Sequence, residues 1–405
     1  MNLIVQKYGG SSLADASRIQ NVARIITKAS KEGKMVVAVV SAMGDTTDEL
    51  IELAHSITDY PDERELALLM STGELVSCTL LTMAIRSLGY KAISLSGGQA
   101  GIITAGDYNH ARILEIEPQR ITTELNDGNI VIVAGFQGTN DNMDITTLGR
   151  GGSDTTAVAL AAKLNAKVCE IYTDVEGIYT ADPRVATNAR KISNIAYEEM
   201  LELANYGAKM HPRSIELGAL YNVPILVASS FKDTPGTLIN WDEKMEIVNR
   251  VTGIAHDKNV AKITVSGIPD KPGIAATLFE SLADKSISVD TIVQNSGSND
   301  MADLSFTVER SDLASAMSII QPVAESMGAR GCSSDDNLSK VSIVGTGMQN
   351  HPGYASLMFK SLYEADVNIE MITTSEIRIT CIVSQDNVDS AVVALHNAFH
   401  LEEPV

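Results

Sequence analysis

Over the first 240 residues, short apolar runs without alternation recur at Leu3–Val5, Met35–Val40, Lys91–Leu95, Ile130–Ala134, Val168–Tyr172 and Pro224–Ala228. Strands of a parallel sheet covered on both faces read this way, because neither face turns to water. Between them, helical periodicity predicts helices at Asp15–Lys31, Glu65–Ser87, Ser153–Leu164 and Tyr197–Tyr206. Alternating elements of this kind specify an α/β domain, a three-layer αβα sandwich with a mostly parallel sheet, over residues 1–245. Binding sites in such sheets gather where strands run into helix N-termini.

The pattern changes after the hinge-like stretch FKDTPGTLINWDEKMEIVNR. The segment starting at Lys262 is repeated from Lys340: Pro272 and Pro352, Phe279 and Phe359, Leu282 and Leu362, and Asp290 and Glu370 each stand 80 positions apart. A gapless register across strand, Pro-Gly turn, helix and strand marks an internal repeat. Each copy reads strand, helix, strand, strand, helix, strand. That predicts two small α+β modules, residues 246–335 and 336–405, with a last strand free to return to the first module.

Composition narrows the function. The net charge of −20 excludes a general nucleic-acid binder, which needs a basic surface. It does not exclude small anionic substrates, since a few local cations can dominate one cleft. Cys78, Cys169, Cys332 and Cys381 show no CxxC pair or metal-ligand spacing and read as reduced thiols. The N-terminus reads as a strand and a turn rather than a targeting signal, and no apolar run suggests a membrane span. A cytoplasmic protein is expected, with no nucleic-acid, membrane or protein-held metal partner.

Five segments offer chemistry. In QKYGGSS, Lys7 ends a strand, Gly9-Gly10 turns the chain, and Ser11-Ser12 are placed to cap a helix, an arrangement suited to phosphate or to a plain tight turn. In VVSAMGDTTDEL, Ser41 and Thr47 can bind a polar ligand, while Asp45 or Thr46 can simply cap. Glu74 lies within an apolar helix stripe, so its carboxylate must meet either a ligand amine or an internal cation. TLGRGGSDTTA combines the Arg150 fork, the donors of Gly151, Gly152 and Ser153, and the acidic Asp154 at a helix start. YTDVEGIYTADPR brings Thr173, Asp174, Tyr179, Asp182 and Arg184 to a strand end, as a nucleotide loop or a surface turn. AKMHPRS adds Lys209 and Met210, with His211 read as structural rather than metal-ligating.

These segments, in this order and with VAGFQG and VPILVASS, resemble the aspartate kinases of the amino-acid kinase superfamily, and the repeats resemble that family's paired ferredoxin-like ACT modules. The likeness spans nearly the whole chain and is nearest the monofunctional, lysine-sensitive type. It implies transfer of the γ-phosphoryl of MgATP to the β-carboxylate of L-aspartate, yielding 4-phospho-L-aspartate at the head of lysine, threonine and methionine synthesis. Lys7, Tyr8, Gly9, Gly10 and Ser11 are implied to contact the ATP phosphates, and Lys7 and Asp154 to be catalytic. Thr173, Asp174, Tyr179, Asp182, Arg184, Lys209 and Met210 are implied to hold the nucleotide. Ser41, Thr47, Glu74, Arg150, Gly151, Gly152 and Ser153 are implied to form the aspartate pocket, with Glu74 on the amine and Arg150 on the α-carboxylate. An ionised carboxylate acceptor needs no general base, which agrees with the absence of a catalytic histidine motif.

The same resemblance implies lysine and threonine as effectors. They would bind at Asp270, Ala275, Asp290 and Gln294 in the first repeat, and at Tyr354, Ala355, Asn368, Ile369, Ser375 and Glu376 in the second. It also implies a homo-oligomer through the ACT modules, or an α2β2 assembly with a small subunit started internally at Met245. Two alternatives stay open: a kinase for glutamate or N-acetylglutamate, and a non-catalytic amino-acid sensor.

Overall fold

The computed structural model describes residues 2–205, 210–241, 251–296, 301–348 and 351–403. These fall into two compact units, one of residues 1–178 and 191–245, the other of residues 179–190 and 246–405. Met245 and Lys209 lie outside the described residues.

The first unit is built on an eight-stranded sheet. Its order is Asn194–Ala196, Thr237–Asn240, Ile225–Ser229, Cys169–Thr173, Leu3–Tyr8, Met35–Val40, Ile130–Ala134 and Ala92–Leu95. All neighbouring pairs run parallel except Ile225–Ser229 with Thr237–Asn240. The expected strands are therefore present, each within two or three residues at its ends. The central ones are buried along almost their whole length, which is why they do not alternate. Beside them lies a small sheet of Arg112–Ile116, Ile102–Ala105, Gln137–Thr139 and Ile145–Thr147, too short and too polar to stand out in the sequence.

Among the described residues one helix, Glu63–Ser87, is by length and composition apolar enough to cross a membrane, contrary to the reading of the sequence. It packs on the Ala16–Lys31 helix and on the sheet through Ala67, Met70, Cys78, Leu81 and Ile85, so its apolarity serves the core. Helix Ala16–Lys31 is capped not by Ser11-Ser12 but by Asp15, whose carboxylate accepts from the Arg18 N–H at 2.9 Å. Gly10–Ser12 form a separate single turn.

The second unit carries one antiparallel six-stranded sheet, ordered Ile292–Ser296, Met301–Val308, Gly253–Pro269, Gly331–Val344, Arg378–Ser384 and Met371–Thr374. Both repeats contribute to it, but the chain ends differently from the expected order. No strand is described after helix Val388–Ala398. The second module is completed instead by Gly253–Asp257, paired with Val344–Lys340, near the start of the second unit's main segment. A bulge near Val260 then carries that strand into the first module, where Lys262–Ser266 pair with Asp335–Gly331. The boundary at residue 335 thus cuts through a continuous strand, Gly331–Val344.

Segment 179–190 is a further departure. Although preceded and followed by the first unit's chain, its Ala181 and Ala186 are buried with Ile254, Val341, Ile343 and Leu395 in the second unit's core.

Candidate active site

Five parallel strands end on one edge of the large sheet, at Tyr8, Val40, Ala134, Thr173 and Ser229. Strand alternation points Lys7 and Tyr8 to opposite faces. Lys7 meets Asp154, in the first turn of helix Gly152–Lys163, with Nζ 2.7 Å from Oδ1 and both side chains less than 15% exposed, at 13% and 14%. Tyr8 turns into the core, where its ring stacks on Tyr172 at 5.0 Å and its hydroxyl donates to Gln6 Oε1. Its side chain is fully buried, so the expected nucleotide contact by that side chain is corrected. Burial raises its pKa well above that of a free phenol.

The Gly9-Gly10 turn is shaped by close approach. A Cβ on Gly9 would stand 3.5 Å from Lys7 Nζ. One on Gly10 would meet the carbonyls of Gly44 and Ala42 at 2.8 and 2.9 Å, so a side chain there cannot be accommodated without moving backbone. Ser12 Oγ lies 2.8 Å from Ser230 Oγ, and the Ser230 N–H donates to the Thr173 carbonyl, tying three strand ends together. Ser230 was not singled out in the sequence. It closes the VPILVASS segment as the second of two adjacent serines, and the sequence does not say which of the two reaches Ser12.

Glu74 is 2% exposed, and the Ala42 N–H donates to its Oε1 at 3.2 Å. Its Oε2 is buried without a hydrogen-bond partner, and no ion pair to it is found among the described residues. Desolvation lifts its pKa to about 7, against the smaller lowering by backbone hydrogen bonds. Of the two expectations for this carboxylate, an internal cation is therefore not what the described residues provide. Ser41 and Thr47 are half-buried on the loop and helix that follow Val40. Asp45 occupies the cap position of that helix without making a side-chain cap bond.

In the glycine-rich loop, Gly149 and Gly151 both adopt left-handed φ values of 74° and 68°, flanking Arg150. Gly152 opens the helix, and Ser153 sits so close to Gly135 that a Cβ there would lie 2.9 Å away. Phe136, also left-handed at φ 68°, donates its N–H to Thr156 Oγ1 at 3.2 Å. A bulky residue in that region marks strain, a signal visible only in the structure. Arg150 is exposed and lines a cleft of about 1310 Å³ with Arg112, Lys163 and Arg213; Lys7, Glu74 and Asp154 do not line it. His211 also lines this cleft and fits against the loop, its Cγ 2.2 Å from where a Cβ on Gly151 would be.

The remaining expected residues separate. Thr173 Oγ1 donates to Asp174 Oδ1 at 3.0 Å on the strand edge, and Met210 is buried in the same unit. Tyr179, Asp182 and Arg184 belong to the second unit. There Asp182 accepts a fork from Arg184, with Nη2–Oδ2 at 2.6 Å, and that hydrogen bonding lowers the aspartate's pKa.

In the six-stranded sheet's unit, Gln294 Nε2 donates to Asp270 Oδ1 at 3.4 Å, and Ala275 is half-buried on the helix after Asp270. Asp290 is instead ion-paired with Lys340. Tyr354 and Ala355 open their helix, with Tyr354 stacked on Phe399 at 6.2 Å. Asn368 donates to Glu370, Ile369 packs on the core, and Ser375 and Glu376 lie in the turn between the last two strands.

A parallel sheet edge with a lysine–aspartate pair at a helix head, joined to two ferredoxin-like modules, defines a phosphotransferase with a regulatory half. Residues 2–229 match the amino acid kinase family, and residues 263–322 and 341–399 match the ACT domain. The aspartokinase of Corynebacterium glutamicum is 50% identical over 407 residues, covering 99% of this chain and 97% of the relative. The aspartate kinase of Pseudomonas putida is 47% identical over 406 residues, covering 100% and 99%. Among solved structures, Escherichia coli aspartokinase III in complex with aspartate and ADP superposes with a TM-score of 0.80 at 25% identity, over 98% of this chain and 100% of that one. The chain belongs to the aspartokinases of the amino acid kinase family.

Proposed function

We propose that this chain transfers the γ-phosphoryl group of ATP to the β-carboxylate of L-aspartate. The observation that carries the reading is Glu74, a buried carboxylate with an unpartnered oxygen, on a helix packed behind the Ala42–Gly44 loop that closes on Gly10. Such a group favours a free ammonium and disfavours an N-acylated amino acid, which would leave it unpaired. A hydroxamate assay with ATP should therefore give signal with L-aspartate and none with N-acetylglutamate. Equal signal from both would remove Glu74 as the specificity group.

The acceptor carboxylate is ionised at neutral pH and attacks without a base, so the residues need only align two anions and disperse their charge. Lys7 would neutralise the phosphoryl oxygens, Asp154 would hold Lys7 in place, and the Gly9–Ser11 turn would receive phosphate through backbone donors. Arg150, exposed between two left-handed glycines, would close on the α-carboxylate once substrate enters. Mg²⁺ would supply further charge neutralisation. Among the described residues no group of three or more His, Cys, Asp or Glu is placed to hold a metal ion.

The ACT modules support control by lysine, with threonine alone or jointly. An E. coli aspartokinase III structure contains lysine and aspartate. Initial rates should fall at saturating lysine plus threonine; unchanged rates would end this reading. The assembly would be a homo-oligomer through the ACT modules or an α2β2 complex with a chain begun at Met245, alternatives that intact-mass measurement on protein from the natural gene separates.

A further inference from the structure

Helix Thr46–Ile57 carries two apolar stripes and buries none of its residues. One stripe holds it to its own unit: Thr46 and Leu50 reach within 3.8 Å of where a Cβ on Gly73 of helix Glu63–Ser87 would stand, and Ile51 and Ala54 are half-buried. The other stripe faces outward. Glu49, Leu53 and Ile57 follow one another at steps of four, with Glu52 beside them and Tyr60 continuing the row past the helix end. Ile57 is 82% exposed and Tyr60 91% exposed. A surface helix needs a single apolar stripe to stay on its domain, so the second one is unpartnered. From Asp45 to Glu65 the chain holds eight acids, with Arg64 as the only Lys or Arg among them.

The same unit carries a surface of the opposite charge. The cleft of about 1310 Å³ already described is a groove with strand Arg112–Ile116 on one side and helices Gly152–Lys163 and Pro212–Tyr221 on the other. The strand is the outer one of the small sheet, and its Leu114 is 65% exposed. Leu220, 72% exposed, and Tyr221 supply apolar surface on the helix side. Including Arg150, four Arg or Lys line the groove against Glu115 and Glu216, in a chain whose net charge is −20. Arg213 is fixed there by donating to the Leu148 and Ala111 carbonyls, both at 3.2 Å. Exposed apolar side chains edged by charge of one sign mark a docking surface for a partner of the other sign.

We infer that this groove receives the Thr46–Ile57 helix of a second copy of the chain. Leu53, Ile57 and Tyr60 would cover Leu114, Leu220 and Tyr221, while Glu49 and Glu52 would meet Arg112 and Lys163. The twelve-residue helix is about 18 Å long and about 10 Å across, a size the groove can take along one face. The contact is head-to-tail. Cys78 and Leu81 of helix Glu63–Ser87, on which the acidic helix rides, pack with Ile4 and Tyr8, whereas Lys7 on the other face of that strand meets Asp154 of helix Gly152–Lys163. Helix and groove thus lie on opposite faces of the large sheet, and each copy offers its helix to one neighbour and its groove to another. Both surfaces belong to the first unit, so this contact is separate from any pairing of the ACT modules.

The test follows full-length protein by sedimentation velocity with fluorescence detection. A helix variant, Leu53→Ser/Ile57→Ser, keeps its groove, and a groove variant, Arg112→Glu/Leu114→Ser, keeps its helix. All four positions are exposed, so both variants should melt with wild type. Each alone should associate through this contact about tenfold more weakly than wild type. Labelled helix variant should sediment faster with excess unlabelled groove variant than with the same excess of unlabelled helix variant, because only the first mixture contains an intact helix and an intact groove. Any contribution from the ACT modules is the same in both. Raising the salt from ~0.1 M to ~0.5 M should shrink the difference. A second groove variant from the opposite wall, Lys163→Glu/Leu220→Ser, should behave as the first and carries the comparison if the first misfolds. Equal sedimentation in the two mixtures overturns the inference. So does calorimetric binding of inorganic phosphate to wild type, lost in the groove variant, with no difference in sedimentation, since the groove would then serve a small anion.

Discussion

Lys7→Met is expected to lower kcat about a thousandfold while leaving the aspartate KM nearly unchanged. The side chain is held 2.7 Å from Asp154 and opens onto the Gly9 turn, so it carries a fixed positive charge to the place where phosphoryl oxygens would gather. A positioned cation inside a partly dry site is worth far more to a developing anion than to the ground state. Removing it does further harm, because the Asp154 carboxylate is left without its ion pair beside two anionic substrates. The double variant Lys7→Met/Asp154→Asn should therefore be no slower than Lys7→Met alone. If Asp154 contributed independently of Lys7, the two losses would multiply. Rapid-quench turnover measurements on Lys7→Met, Asp154→Asn and the double variant distinguish these outcomes, with melting curves to confirm that each is folded.

Glu74→Gln should raise the aspartate KM by about two orders of magnitude, since a charge-assisted bond to the ammonium becomes a neutral contact. Its effect on stability should have the opposite sign. Burial pushes the folded carboxyl up to about 7, above the 4.5 of an exposed glutamate, so the folded state holds the proton more tightly than the unfolded one. Stability from this group is full below the unfolded value and is lost as pH rises toward 7, by about 3 kcal/mol at most. Glutamine carries no such burden. The variant should melt above wild type at pH 8 and level with it at pH 4.5. The same titration predicts that wild-type affinity for aspartate weakens about tenfold between pH 8 and pH 6, because the ammonium binds the ionised form. A pH-independent affinity would show that Glu74 does not face the amine.

The first unit was legible because its central strands are buried on both faces and its site residues cluster where those strands end. Glu74 was visible as a charge in an apolar stripe. Its unpaired oxygen was not, since that depends on which side chains surround it. The direction of the Tyr8 side chain was legible too: consecutive residues of one strand point to opposite faces, so with Lys7 toward Asp154 the Tyr8 ring turns into the core, against Tyr172. The capping role of Asp15 was missed because Ser11-Ser12 offered the same chemistry four residues earlier. Segment 179–190 could not have been placed from its sequence. ADPR reads as a surface turn, and only burial of Ala181 and Ala186 reveals its allegiance to the other core. Likewise Gly253–Asp257 precede the recognisable repeat, and nothing in their sequence announces a partner at Lys340–Val344.

That pairing imposes an order on biogenesis. The strand Gly253–Asp257 leaves the ribosome well before Val344, the residue Gly253 must face. At cellular elongation rates the interval is on the order of ten seconds, during which an edge of β-forming sequence waits without its neighbour. The partner of the first module, Gly331–Asp335, and the partner of the early strand, Lys340–Val344, arrive on one continuous strand, so both pairings wait for the same late segment. Sequence in this strand is thus answerable to a nascent-chain requirement as well as to the native fold. His256 and Asp257 there, with Lys258 just after, supply charge and polarity that discourage a wrong partner from docking first.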